Sequence, residues 1–260
     1  MIFATTCFGE DRRQDTLHFL NDIRNLNFKT HIITNLELNL DFFQYDNVTI
    51  IKVDTPYYQD FFRYQLILDI FNSTDDDLVY YLDSDSRFID FREEKFDTDK
   101  FLNLIKNKNF DIITSWMTDN VALFFESPEI DENKNIRQFK YGYTSVCEFM
   151  DNNYPNYQEF FNLPNSWEGH LMFKKSDKVI KFLTEMVKVG NILIDEDIKN
   201  NRNHIACCSS SLITLMSKLL ELNLIQDSIT HHFFKANFLR EVFPFNFKIY
   251  KDEKVFTNNN

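Results

Sequence analysis

Glycine and proline are scarce in this chain, with 4 and 5 in 260 residues. So few breaking residues argue against a loop-rich β sandwich and for helices joined to buried strands. Basic charge is also in short supply. Lys and Arg number 28 against 40 Asp and Glu, a net charge of −12, so nothing supplies a basic footprint for nucleic acid. Cysteine is limited to Cys7, Cys147 and the adjacent Cys207 and Cys208. None has CxxC or Cys/His zinc spacing, and a reduced, intracellular setting is expected. No apolar run approaches the roughly 20 residues of a membrane span. Met1-Ile2-Phe3-Ala4 offers neither a basic leader nor the apolar core of a signal peptide. The expectation is a complete, soluble, cytoplasmic protein.

What is present is hydrophobic: 43% apolar residues, 16% aromatic, 29 of them Phe. That is enough to bury a substantial core in one large domain, and it excludes disorder. Apolar runs at Ile2–Cys7, Thr30–Thr34, Val48–Val53, Leu78–Leu82 and Phe110–Thr114 read as strands. Helices are expected between them, starting near Asp15 or Thr16, over about 57–71, and over about 98–106. Strands alternating with helices make a parallel sheet with right-handed crossovers. The stretch from Val121 to Asn165 reads as mixed antiparallel strands and loops. Trp167 to Phe173 reads as a strand, and Ser176 caps a helix that Gly190 ends. Leu212, Leu215, Met216, Leu219 and Leu220 mark one more helix, started by Ser209 to Ser211, before a Phe-rich tail. The fold class is therefore α/β, one domain, with a Rossmann-like nucleotide-binding half.

The chain is organised around Leu78-Val79-Tyr80-Tyr81-Leu82-Asp83-Ser84-Asp85-Ser86-Arg87-Phe88. A run of apolar and aromatic residues ends in two carboxylates one residue apart. In an open α/β sheet ligands sit at the carboxyl ends of the strands. Asp83 and Asp85 there suit a hard divalent cation, which takes oxygen ligands and completes its shell with water or phosphate oxygens. Asp75/Asp77, Asp97/Asp99 and Asp195/Asp197 have the same spacing, but no long apolar strand launches them. The plain alternative is that Asp83 and Asp85 solvate a turn.

This segment resembles the DxD motif of GT-A-fold glycosyltransferases, especially the subgroup of the histo-blood-group A and B transferases. The resemblance implies a GT-A fold with a mixed sheet. A nucleotide-sugar-binding half would span 1–115 and an acceptor-binding half 116–260; the resemblance is to the catalytic domain alone, since the expectation from the sequence is a chain without the membrane stem that Golgi enzymes carry. It implies Mn2+ or Mg2+ held between Asp83 and Asp85 and the diphosphate of a UDP-sugar, with Ser84 near the ribose. An anionic donor entering an acidic cleft needs such a cation, so the charge balance points the same way.

The resemblance extends to other positions, each with a structural alternative. Thr5, Thr6 and Phe8, at the end of the first strand, would hold the base, or are an ordinary strand end. Arg63 would meet the diphosphate or the base, since a planar guanidinium suits oxyanions, or would pair with Asp60. Arg87, two residues after Asp85, is a further candidate partner for a phosphate or carboxylate. Trp167 and His170, in Ser166-Trp167-Glu168-Gly169-His170, would line the acceptor pocket, or pack in the core. Glu168, or one of Asp195 and Asp197, would act as general base if the reaction inverts; the Asp195-Glu196-Asp197 triplet also suits a helix N-terminus. His231 or His232 would complete the metal shell, or is a surface ring. The family's Asp-Glu-Ser-x-Leu segment aligns with Cys208-Ser209-Ser210-Ser211-Leu212, which lacks its carboxylate. The implied activity is transfer of a hexose or N-acetylhexosamine to a hydroxyl of a glycan or small acceptor. A nucleotidyltransferase is disfavoured by the missing Gly-rich phosphate loop, and a catalytically silent binding module remains the other alternative.

Overall fold

Fully buried apolar runs set the frame of this computed structural model. It describes residues 1–24, 28–38, 45–55, 61–84, 86–89, 98–121, 129–130, 136–137, 144–200, 209–230, 233–234 and 248–251. The strands are β1 (Ile2–Cys7), β2 (Lys29–Thr34), β3 (Val48–Lys52), β4 (Leu78–Leu82), β5 (Ser86–Ile89), β6 (Ile112–Asn120), β7 (Glu129–Ile130), β8 (Ile136–Arg137), β9 (Pro164–Lys174), β10 (Leu224–Thr230), β11 (Phe233–Phe234) and β12 (Lys248–Lys251). The α-helices are α1 (Asp11–Ile23), α2 (Phe62–Ser73), α3 (Thr98–Asn107), α4 (Thr144–Asn153), α5 (Asp177–Lys199) and α6 (Ser210–Leu219). Eight strands form one sheet in the order β11-β10-β6-β9-β4-β1-β2-β3. β3, β2, β1 and β4 run parallel, which is the Rossmann-like half expected. β9 then enters antiparallel between β4 and β6, and β10 lies parallel to β6. The result is a mixed α/β sheet in a single domain, with the layout expected of a GT-A-like fold.

Alternation along β4 decides which core each side chain joins. Val79 and Tyr81 face the cluster built by α2, α4, α5 and α6, with Tyr64, Ile67, Phe182, Met186 and Leu215. Leu78, Tyr80 and Leu82 face the opposite cluster, with Phe19, Leu20 and Ile23 of α1 and Ile105 of α3. Both faces of the central strand are covered, as a parallel strand requires.

Several boundaries differ from expectation. α1 begins at Asp11, because Gly9 adopts φ 84° and turns the chain straight out of β1. β6 runs on to Asn120 and β9 starts at Pro164. Within the stretch expected to be mixed antiparallel strands and loops, the described residues hold the short antiparallel β7–β8 pair and the start of β9, with α4 and a 3-10 turn at Tyr157–Phe160 between them. β10 was not anticipated.

The largest correction concerns Gly190. Ser176 does cap α5, accepting from the Val179 N–H, but the helix passes through Gly190 and ends at Lys199. Gly190 serves close approach: a Cβ there would meet Phe61 Cβ at 2.5 Å. The Tyr64–Phe182 contact at 6.2 Å and this Phe61–Gly190 contact run in opposite chain order. α2 and α5 are therefore antiparallel, which brings the end of α5 to the same edge of the sheet as the start of α2. Among the described residues no helix is long and apolar enough to cross a membrane.

Candidate active site

Asp83 follows β4 at the carboxyl edge of the sheet. Its backbone N–H donates to the Gly169 carbonyl at 3.0 Å, extending the β4–β9 register in which Leu82 faces His170. Its side chain is 17% exposed, enough to meet a ligand while being held from below. Tyr81, on the same face two residues earlier, donates its hydroxyl to Asp83 Oδ1 at 3.0 Å. The same oxygen of Tyr81 lies 3.1 Å from Thr6 Oγ1 at the end of β1. Arg63, only 2% exposed, brings Nη1 to 3.8 Å from Asp83 Oδ1 and lies over the Tyr81 ring at 5.0 Å. Its Nη1 also donates to the Glu168 carbonyl. Burial holds the Tyr81 hydroxyl well above the usual phenol range, so it stays a donor.

Glu168 and Gly169 close the ring from β9, where the register against β6 shifts between Thr114 and Ser115. That irregularity lets the strand bend over the end of β4. Glu168 Oε2 accepts the Ser210 hydroxyl at the first residue of α6, a favourable place for a carboxylate next to a helix N-terminus. The neighbouring Ser209 hydroxyl accepts from Tyr64 at 2.6 Å. So Ser210, within the serine run at the start of α6, is met by a carboxylate from β9. Gly169 gives Asp83 its room: a Cβ there would stand 2.4 Å from Asp83 Oδ2 and 2.7 Å from Trp167 Cζ2.

Other sequence-predicted residues are placed as follows. Thr5 is fully buried, and its hydroxyl finds no partner among the described residues. Phe8 is 7% exposed and stacks on Phe62, centroids 5.1 Å apart. Ser84 is 6% exposed beside Asp83. Trp167 is half-buried against the α1-side cluster. His170 is 1% exposed with Nε2 2.6 Å from the Tyr80 hydroxyl, and burial pushes its pKa down to about 3. That neutral ring ties β9 to β4 inside the core. Arg87 lies on β5, opposite Tyr250 of β12.

The acidic triplet is neither in a turn nor at a helix start, because the last turns of α5 contain it. Asp195 is exposed, Asp197 is fully buried, and Glu196 accepts from the Ser145 N–H at 2.8 Å, capping the start of α4. Asp85, His231 and His232 lie outside the described residues. Among the described residues no group of three or more His, Cys, Asp and Glu could hold a metal. A cation would therefore rest on Asp83 together with those residues and with oxygens from water or donor. Asp83 itself fits the role, being a hard oxygen donor, partly exposed and held at Oδ1 by Tyr81 and Arg63.

Sequence reasoning missed Tyr81, which it read only as strand. Its spacing from Asp83 held the signal, since residues i and i+2 of a strand share a face. A shallow cavity of about 60 Å3 between α2 and α5, lined by Phe61, Phe62, Gln65, Val187 and Asn191, shares none of its lining with this network.

No family model matches the chain, and no curated protein does. Solved structures similar to it include the galactosyltransferase LgtC in complex with donor and acceptor sugar analogues. That match has 10% identity over 90% of this chain and 74% of that one, with a TM-score of 0.44. The glycosyltransferase GlyE of Streptococcus pneumoniae TIGR4 is similar at 13% identity over 94% of this chain, TM-score 0.40, and the chain covers 49% of its length. A Bacillus anthracis protein described as a glucose-1-phosphate thymidylyltransferase, in complex with a sucrose, is similar at 11% identity over 88% of this chain and 87% of that one, TM-score 0.42. With TM-scores below 0.5 these likenesses fix neither a family nor an activity.

Proposed function

We propose that this chain is a metal-dependent glycosyltransferase that moves a hexose or N-acetylhexosamine from a UDP-sugar to a hydroxyl of a glycan or small acceptor. The observation that carries the reading is the setting of Asp83. A partly exposed carboxylate stands at the carboxyl edge of a mixed α/β sheet, where such folds bind ligands. A buried tyrosine and a buried arginine brace it from beneath. Its sequence resemblance to the DxD motif of the GT-A enzymes, the histo-blood-group transferases above all, supports the same reading.

Asp83 and Asp85 would hold Mn2+ or Mg2+, with His231 or His232 as further ligands. When bound, that ion supplies Lewis-acid neutralisation of the leaving diphosphate. Thr5, Thr6, Phe8 and Ser84 belong to the strand ends where the nucleotide would lie. Arg63 acts from below, fixing the Glu168 carbonyl and the Asp83 carboxylate instead of reaching into solvent.

Among the three candidate bases we favour Glu168. It adjoins Gly169, which touches Asp83, whereas Asp195 points outward and Asp197 is sealed in α5. As base, Glu168 would take the proton from the acceptor hydroxyl. That oxygen would attack the anomeric carbon while the bond to the diphosphate oxygen breaks, with inversion. Trp167 offers the aromatic surface for the acceptor, and His170 acts only by holding β9.

The test is turnover of a UDP-sugar panel, read as sugar transfer or hydrolysis, with Mn2+, with EDTA and in Asp83→Asn. Activity lost in EDTA, restored by Mn2+, and reduced at least about 100-fold in Asp83→Asn is expected. Turnover indifferent to both EDTA and the substitution would overturn the proposal.

A further inference from the structure

Resting on the reading just given, we infer that Tyr81 is a positioning residue. With Thr6 it fixes the orientation of the Asp83 carboxylate before any divalent cation arrives. The argument starts from donors and acceptors. A carboxylate only accepts, so the Tyr81 O–H must point at Asp83 Oδ1. Tyr81 has one proton. Its contact with Thr6, in which either oxygen could donate, then has a single direction: the Thr6 hydroxyl donates and Tyr81 accepts. The chain Thr6 to Tyr81 to Asp83 is thus polarised toward the carboxylate, crossing from β1 to β4.

Two other contacts remove the remaining freedom. The Arg63 guanidinium draws the same Oδ1 inward at 3.8 Å, and the backbone N–H of Asp83 is tied to Gly169 at 3.0 Å. Oδ2 consequently rests over Gly169, in the space a Cβ would fill. Tyr81 is fully buried, so water cannot replace its bond. Groups that orient metal ligands from behind matter to affinity almost as much as the ligands do.

The experiment measures Mn2+ binding, alone and with UDP, by titration calorimetry and by the electron-spin signal of free Mn2+. It compares the unaltered chain, Tyr81→Phe, Thr6→Val and the double variant, with thermal unfolding of each. Tyr81→Phe should weaken Mn2+ binding by at least about 10-fold, and Thr6→Val by less. Tyr81→Phe also leaves the Thr6 hydroxyl without its buried partner. The double variant should therefore recover melting temperature relative to Tyr81→Phe while its Mn2+ affinity stays low. A purely structural tyrosine would instead move the melting temperature and leave Mn2+ affinity alone. Unchanged affinity in Tyr81→Phe and in Thr6→Val overturns the inference and leaves the proposed function standing. An unaltered chain that binds no Mn2+, with or without UDP, overturns both.

Discussion

Replacing Gly169 by alanine should damage the site far more than the fold. The added Cβ would lie 2.4 Å from Asp83 Oδ2, 2.7 Å from Trp167 Cζ2 and 3.0 Å from Trp167 Cε2, against an ordinary contact of 3.4 Å or more. The larger clash must open by about 1 Å (3.4 minus 2.4), and the two neighbours differ in their ability to yield. The Trp167 ring packs against the α1-side core, whereas Oδ2 is the end of a short side chain facing partly into solvent. Asp83 therefore moves. A shift of that size is comparable with the whole tolerance of the Tyr81 bond at 3.0 Å, since hydrogen bonds weaken quickly beyond about 3.2 Å. Overpacking costs about 1–3 kcal/mol of stability. A misplacement of about 1 Å in a reacting constellation can cost 100-fold in rate. We expect Gly169→Ala to fold cooperatively, to unfold in urea at a stability lower by about 1–3 kcal/mol, and to bind Mn2+ at least about 10-fold more weakly. Calorimetry and urea titration of the same preparation read both. A variant with unaltered Mn2+ affinity would refute the assignment of Gly169 as the seat of Asp83.

Two further outcomes concern the scaffold. Gly190→Ala should gain about 1 kcal/mol of helix propensity and lose more by driving Cβ into Phe61, a net loss of about 1–2 kcal/mol; a raised melting temperature would show that α2 and α5 can part without cost. His170, neutral in the fold with its pKa lowered to about 3, titrates near 6.5 once unfolded. The unfolded chain thus binds the extra proton between those values. Stability from this group is complete above about pH 6.5 and falls as pH drops, by up to about 1.4 kcal/mol per pH unit. Urea titrations at pH 7, 6 and 5 should give a shallower decline in His170→Asn than in the unaltered chain, and parallel declines would contradict the assignment.

β1 to β4 were legible because each carries a short apolar stretch closed by a turn, and β4, apolar and aromatic throughout, needed no other signal. α5 was cut short because Gly190 mimics a helix end. Yet Phe182, Leu183, Met186, Val189, Gly190, Leu193 and Asp197 keep the helical period to the last turn, all buried. The pattern failed at the eye's expectation that a buried position be apolar and large. β10 hid behind Gln226, whose amide donates to Pro164 O, Ser166 Oγ and Thr214 Oγ1. α4 hid because it buries few apolar residues, among them Val146 and Met150. The candidate site shows the same division. The carboxylate announced itself by spacing and context, while its supports come from β1, α2, β9 and α6. Only tertiary structure brings those together.

Arg63 shows why the supports matter in a chain of net charge −12. A lone carboxylate at the sheet edge, with Glu168 a few residues away in space and acids elsewhere on the surface, would be driven outward. One guanidinium at 3.8 Å from Asp83 attracts it by about 4 kcal/mol before desolvation is counted, taking an effective dielectric near 20. Much of that is spent on burying the guanidinium, which recovers part through the Glu168 carbonyl and the Tyr81 ring. The net effect on stability is small; the effect on geometry is not. Because the same cation grips β4's carboxylate and β9's carbonyl, the two acids Asp83 and Glu168 keep a fixed relation, one through its side chain and the other through its backbone. That arrangement ties the Glu168 carboxylate to the start of α6 and holds Asp83 by its Oδ1. It separates the charge that organises the site from the charge that would do its chemistry.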